Sequence, residues 1–382
     1  MKTVPRVILL IETSRAFGRE FLYGIARYSR IHGPWVFYRE AGGLEKSIPR
    51  LKDWGADGII MRNTRKNNDL LELGLPTILV IHGQEKQFGF PRVLTDGVNI
   101  SRMAGEHFFD RGYRNFAYCG FSDSPWSHQR GEQFIKVVNK AGYEIQVYPQ
   151  PKSKVKRQWK YEQVIMGEWL KSLPKPVGLM AGNDDRGQQI LEACKIAQLQ
   201  VPDEVAVIGV DNDELVCDLS DPPLTSIALN TEKAGYEAAQ LLDMMMFKKK
   251  WGKKDIMVRP SHVVTRQSTD MLALEDAEVV DAIRFIRQNA KKKIRVDDVA
   301  SAAGISRRGL EKRFRKLLNR SVQQEIRRVR NSLICKMLVD TGMSIATIAQ
   351  AMGFGGAEHI ARYFRKEMGM SLRAYRKEYA GK

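Results

Sequence analysis

The stretch from Val296 to Phe314 reads VDDVASAAGISRRGLEKRF, and its pattern decides the C-terminal fold. Asp297 and Asp298 suit the positive end of a starting helix. Val299, Ala300 and Ala303 make an apolar stripe. Gly304 permits a tight turn, and Ser306 can cap a second helix. In that helix Leu310, Phe314 and Leu317 share one face, at i, i+4 and i+7. Arg307, Arg308, Glu311, Lys312 and Arg315 share the other. An apolar back packs on a scaffold while a charged front can enter the major groove of DNA. A merely soluble amphipathic helix has the same layout, so one such segment decides little.

The pattern recurs. Ser344 precedes Ile345, Ile348, Ala349 and Met352, which point inward, and Gly353 supplies the turn. The stretch from Gly356 to Lys366, GAEHIARYFRK, is a second candidate reader. Ile360 and Phe364 face in; Ala357, Glu358, His359, Arg362, Arg365 and Lys366 fall on the outer side or first turn. His359 reads equally well as a surface histidine without a role. Arginine can grip guanine edges with two hydrogen bonds, whereas lysine mostly meets phosphates. Two basic helix-turn-helix segments in tandem are far more specific than one.

Charge agrees. The 382-residue chain has a net charge of +18, and residues 274–382 hold 24 Lys and Arg against 12 Asp and Glu, a net of +12. A basic end of this kind calls for a polyanionic partner, nucleic acid first. The basic segment at 248–254 reads as a solvated turn.

Upstream, residues 5–265 alternate between apolar runs and helical patterns. Runs at 7–11, 36–39, 58–61, 77–81, 116–119, 178–180 and 205–210 predict strands, and helices are expected at 98–111, 131–141, 161–172 and 187–197. Strands apolar on both faces between helices predict parallel, doubly wound α/β sheets. No GxGxxG follows the first strand, so a dinucleotide site has no support. Residues 266–276 break the pattern and read as a linker, giving domains at 1–268 and 277–382 joined by 269–276. Everything after Asp276 reads as helix.

Four cysteines, Cys119, Cys194, Cys217 and Cys335, show no metal-ligand spacing and read as buried small residues in a reducing compartment. The first apolar run ends at Glu12, too short for a signal peptide, and no run is long enough to span a membrane. A cytoplasmic protein is expected.

The C-terminal residues resemble the AraC family of transcription regulators. Ile345, Ile348-Ala349, Gly353-Phe354, Phe364-Arg365-Lys366, Gly369 and Tyr375-Arg376 match its pattern, and the likeness covers residues 278–380. Ile360 replaces the usual aromatic and Leu372 the usual proline; both keep an apolar role or a cap. Residues 5–265 resemble the ligand-binding core of LacI-type regulators and periplasmic sugar-binding proteins, a two-lobed fold. Thr95-Asp96-Gly97, the segment from Ser127 to Phe134, Gly182-Asn183-Asp184 and the segment from Val207 to Asn212 carry that likeness.

The resemblance implies a cleft at the C-terminal ends of the strands, where open α/β sheets bind ligands. Asp96, Arg130, Asn183 and Asp211 supply carboxylate, guanidinium and amide groups, which suit sugar hydroxyls that both donate and accept. Arg15 and Arg19 could line the same cleft, and Phe17 and Trp126 could stack on a sugar face. Asp96-Gly97 also makes an ordinary turn, and the two aromatics could be core. The sensor-first order resembles the xylose-operon activators. That implies D-xylose as effector, double-stranded DNA with repeated half-sites, a homodimer and contact with RNA polymerase, with no cofactor and no metal. A transport binding protein would lack the basic helical tail. An enzyme has only the adjacent pair Asp184-Asp185, with no nucleophile, base or metal set beside it.

Overall fold

The computed structural model describes residues 4–39, 54–62, 68–80, 89–153, 155, 157–247, 255–271, 273–274 and 276–379. The basic segment at 248–254 lies outside them.

The apolar runs form two six-stranded sheets. β1 (Arg6–Leu10), β2 (Val36–Arg39), β3 (Gly58–Arg62), β4 (Thr77–Val80), β5 (Arg92–Thr95) and β11 (Ile256–Val258) make the first, in the order β11-β5-β4-β3-β1-β2. β6 (Asn115–Cys119), β7 (Ile145–Val147), β8 (Val177–Ala181), β9 (Val205–Asp211), β10 (Thr225–Leu229) and β12 (Pro260–Val264) make the second, in the order β12-β10-β9-β8-β6-β7. Pairing is parallel except where β12 runs antiparallel to β10, with a bulge at Ala228/Leu229. Val7 through Leu10, Gly58 through Met61 and Val205 through Val210 are buried on both faces, as parallel strands between helices must be.

Helices cover the sheets. α1 (Ala16–His32), α2 (Asn68–Leu71) and α8 (Thr231–Met246) belong to lobe one; α3 (Gly97–Phe109), α4 (Pro125–Lys140), α5 (Trp159–Ser172), α6 (Asp184–Ile196) and α7 (Glu214–Leu219) belong to lobe two. α1 and α8 touch backbone to backbone: a Cβ on Gly24 would lie 1.9 Å from the Glu232 carbonyl oxygen, and one on Gly235 2.0 Å from that of Phe21. α4 begins at Pro125, well before the expected 131, because proline is pre-set for the first helical turn. Trp126 and Arg130 are therefore helical, not loop, residues.

The chain passes between lobes three times, at Asp96, Asn230 and Arg259. These passages lie side by side. Asp96 N donates to Val258 O (2.9 Å), Asn230 N to Arg259 O (2.9 Å), and Arg259 N to Asn230 Oδ1 (2.7 Å).

The expected linker is not loose. Ser268 and Thr269 are fully buried in a short 3-10 turn, Gln267–Thr269. Ser268 Oγ donates to Val207 O (2.7 Å) and accepts from Thr225 N (2.8 Å), so each hydroxyl demand is met inside lobe two. Ala273 N then donates to Arg111 O (2.7 Å).

Beyond it come helices alone among the described residues: α9 (Ala277–Gln288), α10 (Val296–Ala302), α11 (Arg307–Leu318), α12 (Val322–Asp340), α13 (Ile345–Ala351), α14 (Ala357–Met368) and α15 (Leu372–Tyr379). α9 to α11 share one core with Val322 and Ile326, built around Leu310 and Phe314. α13 to α15 share another with Ile334 and Leu338, built around Ile360 and Phe364. α12 is common to both. Each unit turns on a left-handed glycine, Gly304 and Gly353, both at φ +67°. Ser306 and Ser344 cap the following helices, accepting from Gly309 N (3.2 Å) and Thr347 N (3.1 Å).

Candidate effector cleft and nucleic-acid interface

A cleft holding about 580 Å3 of space, part of it open to solvent, lies between the lobes at the C-terminal strand ends. Lobe one contributes Ile11, Glu12, Arg15, Phe17, Gly18, Arg62, Val80 and Thr95; lobe two contributes Trp126, Arg130, Asn183 and Asp211. Six of the eight residues expected in a cleft thus meet there.

Asp211 ends β9 at φ +101°, and Asn212 follows at +51°, so the chain leaves the sheet through two left-handed residues. Burial pushes the Asp211 carboxyl up to about 6, against the pull of the Arg130 guanidinium. Arg130 lies over the Trp126 ring at 5.3 Å and donates to Gly182 O. Asn183 caps α6: its Oδ1 accepts from Arg186 N (3.1 Å) and its Nδ2 donates to Asp185 (3.1 Å). Asp185 in turn meets Arg15 Nε across the lobes at 2.6 Å. Phe17 stacks on Phe21 at 6.4 Å while still facing the cavity.

Two expected residues are placed elsewhere. Asp96 caps α3, accepting from Asn99 N (3.1 Å) and Asn99 Nδ2 (2.5 Å), and is not among the lining residues. Arg19 grips Asp213 with both contacts at 2.9 Å; Asp213 also accepts from Ala16 N at 2.7 Å. That cluster ties the start of α1 to lobe two. It is braced by buried Asp184, which accepts from Asp213 N (2.7 Å) and Ser226 Oγ (2.5 Å).

Glu12 and Arg62 also line the cavity, and the sequence pattern does not single them out; Thr95, which opens the Thr95-Asp96-Gly97 segment, lines it as well. Glu12 takes a hydrogen bond from Ser14 (2.5 Å) and pairs with Arg62 (2.7 Å); the Ser14 bond and nearby Arg15 and Arg62 hold its carboxyl below the usual range. Arg62 and Thr95 end β3 and β5, as Asp211 ends β9, and Glu12 lies two residues past the end of β1. The wall therefore alternates carboxylate, guanidinium and amide around the apolar surfaces of Ile11, Phe17, Val80 and Trp126. Such a wall satisfies a small neutral polyhydroxyl ligand: hydroxyls bond to the charged ring and C–H faces rest on the aromatics.

In the helical region, Arg308, Lys312, Arg315, Arg362 and Lys366 are exposed, and their side chains have no hydrogen-bond or ion-pair partner among the described residues. Ala357, Glu358 and His359 are exposed on the first turn of α14. Two residues of the first candidate face differ. Arg307 pairs with Asp297 at 3.3 Å, and Glu311 accepts from Val322 N at 3.4 Å, bracing α12 rather than standing free. Between α11 and α14 runs a groove lined by Lys293, Arg295, Arg307, Arg327, His359, Arg362 and Lys366, with Asp297 its acidic member. Buried Arg330 fastens the two units together. It donates to Ala290 O (2.9 Å), Lys292 O and Met352 O (2.7 Å), and its guanidinium lies 5.0 Å from the Phe354 ring.

Among the described residues no cluster of His, Cys, Asp and Glu could hold a metal, and no helix is long and apolar enough to cross a membrane. The four cysteines are buried and unpaired.

Comparison with known proteins fits both halves. Residues 106–269 match a periplasmic binding protein-like domain, and residues 299–378 a helix-turn-helix domain. The xylose operon regulatory protein of Escherichia coli K12 is 30% identical over 97% of this chain and 96% of its own length. That of Haemophilus influenzae is likewise 30% identical, over 97% and 98%. A solved structure of the xylose-binding transcription activator xylR superimposes with a TM-score of 0.63 at 28% identity, covering 99% of each chain. A ribose-bound LacI family regulator from Enterococcus faecium, 22% identical, matches 71% of this chain and all of its own with a TM-score of 0.57, a likeness of fold. The matched relatives are transcription regulators rather than enzymes, the two xylose operon regulatory proteins match this chain along 97% of its length, and the chain belongs to the family of xylose operon regulatory proteins.

Proposed function

We propose that this protein is a cytoplasmic activator of D-xylose utilisation genes, controlled by D-xylose in the interlobe cleft. The observation that carries the reading is one chain joining that mixed polar and aromatic cavity to two helices that each present exposed cations without partners among the described residues. Asp211 accepts from two sugar hydroxyls, Arg130 and Asn183 bond to others, Arg15 sits at the rim, and Phe17 and Trp126 hold the ring faces. Glu12 and Arg62 complete the wall. Residues 1–268 sense, 269–276 join, and 277–382 bind DNA. Arg308 and Arg362 read base edges from adjacent major grooves, while Lys312, Arg315 and Lys366 meet phosphates. Arg307, His359 and the exposed first turn at Ala357 and Glu358 border the same surface; Glu311 acts there by supporting α12.

The working form is a homodimer on repeated half-sites that contacts RNA polymerase. Sugar shifts DNA binding only by its differential affinity for two arrangements of the domains. The test is a duplex selected from a random pool by the full chain, followed by gel shifts with D-xylose, L-arabinose and D-ribose. D-xylose is expected to change DNA affinity at the lowest concentration. A chain that binds DNA yet ignores every pentose in both gel shift and calorimetry would sink the effector assignment.

A further inference from the structure

The last helix of the DNA-binding region rests on the sensor's hinge. Of the three interlobe passages, two carry α15. Arg259 Nη1 meets Glu378 Oε1 at 2.5 Å. Asn230 Nδ2 and Lys233 Nζ donate to the Glu378 carbonyl at 3.1 and 2.8 Å. One turn back, Tyr375 OH donates to Ser261 O at 3.2 Å, in β12 of lobe two just past the Arg259 passage, and so marks the pivot about which α15 would turn. Tyr375 is buried and packs edge-on against Phe364, on the inward face of the second reader helix, with centroids 5.5 Å apart. A short path thus runs from hinge to reader: Arg259 to Glu378, one turn of α15 to Tyr375, and Tyr375 to Phe364.

The first helix-turn-helix unit is anchored differently. Asp110, at the end of α3 in lobe two, bonds to Arg320 and lies 2.5 Å from Arg328. Arg328 also clasps fully buried Glu325, at 2.9 and 2.7 Å. Arg114 of lobe two donates to Leu317 O. These partners move with lobe two alone. The DNA-binding region therefore has one foot on a rigid lobe and one on the strands that must change their backbone angles when the lobes close. Hinges are built from such element-terminal residues.

We propose that Glu378 is the positioning residue that converts lobe closure into a change of aim of α14 relative to α11. The mechanism rests on the sugar-closed cleft described above. A rotation at Arg259 and Asn230 carries α15 with it, while Asp110 holds the α11–α12 junction still. Neither Glu378 nor Arg259 touches the cavity or the free cations of the reader face.

Full-length Glu378→Ala and the charge swap Arg259→Glu/Glu378→Arg test this. With a selected duplex, Glu378→Ala is expected to keep its sugar-free DNA affinity within about twofold. Its D-xylose-induced change in DNA affinity is expected to shrink at least about threefold, within the usual range of coupling between sites. The swap is expected to restore that change. A Glu378→Ala protein with an undiminished sugar response overturns the proposal. Hydrogen exchange without sugar is an independent measurement: peptides spanning Asn230 and Arg259 should exchange faster in Glu378→Ala than in wild type, and equal exchange overturns the clamp. If wild type answers to no pentose, the effector reading fails, and the exchange result alone decides the clamp.

Discussion

The cleft and the reader helices both present arginines, yet they hold them in opposite ways. In the cleft, Arg130 lies on Trp126 and bonds to Gly182 O, Arg15 pairs with Asp185, and Arg62 pairs with Glu12. On the readers, Arg308, Arg315 and Arg362, with Lys312 and Lys366, have no side-chain partner among the described residues. The difference follows from the partner. A small neutral ligand offers few contacts, so its site must be ordered beforehand, with side-chain entropy already spent. A polyanion draws its partner in by long-range charge and counterion release, so mobile cations are sufficient and binding becomes strongly salt-dependent.

The strongest way to break this contrast is Asp211→Ala. Two charge-assisted hydrogen bonds contribute about 1.5–3 kcal/mol each, so the D-xylose Kd should rise by roughly two to four orders of magnitude. Sugar-free DNA binding should stay nearly intact. Calorimetry and a gel shift on the same variant decide; loss of sugar-free DNA binding would make Asp211 a structural residue.

Arg330→Ala comes next. Arg330, unlike the free arginines of the reader face, is buried and held, with three carbonyl partners belonging to two units. Its removal leaves buried carbonyls unpaired and should cost about 2–4 kcal/mol in chemical denaturation, with specific DNA binding lost alongside.

Arg308→Ala should weaken specific binding by about 1–3 kcal/mol and relax preference at one base pair in a site selection. If preference stays sharp, the outer face of α11 has been wrongly assigned.

A pH experiment sharpens the cleft side. Burial raises the Asp211 carboxyl from 3.8 to about 6, so the folded protein bears the cost of ionising it. In sign terms, this group favours folding fully below pH 4, and that contribution is lost as pH rises through 6. Asp211→Asn should therefore be the more stable protein at pH 7.5, by about 1–2 kcal/mol given the partial exposure of the side chain, with the gain vanishing near pH 4. Thermal melts at the two pH values read it. The smallest effect is expected for Lys366→Ala: a uniform loss below about 1 kcal/mol across sequences, and a salt slope flatter by about one.

Much of this is legible in the residues because burial on two faces leaves an unmistakable apolar run. β1, β3, β8 and β9 are of that kind. β5, with one buried residue in four, and β7, three residues with none, carry no such run and escape a reading by pattern. So do the late strands β11 and β12. The helix-turn-helix units declare themselves through paired glycine turns and serine caps, which are local signals. The linker misleads because polarity is not exposure: Ser268 and Thr269 are buried hydroxyls with partners far away in sequence. Asp211, Arg130 and Asn183 stand out in the sequence while Glu12 and Arg62 do not, although Arg62 ends a strand just as Asp211 does and Glu12 follows one by two residues. Asp96 and Arg19 are the reverse case. Their positions fit, but nearer partners, Asn99 and Asp213, claim them. No single sequence reveals that competition, since it is settled by geometry across 194 residues for Arg19.

The clasp of Asp213 on Arg19 and the start of α1 has a consequence for dose. It joins the lobes through protein groups alone. Such pairs set the fraction of molecules already in the binding-competent form, and the apparent Kd is the intrinsic Kd divided by that fraction. Weakening the clasp therefore moves the sugar concentration at which genes respond, while leaving the ranking of sugars to the cavity wall. Threshold and selectivity are then expected at separate addresses: Arg19→Ala, outside the lining of the cavity, should shift the D-xylose midpoint in a gel-shift titration and leave the order of sugars unchanged.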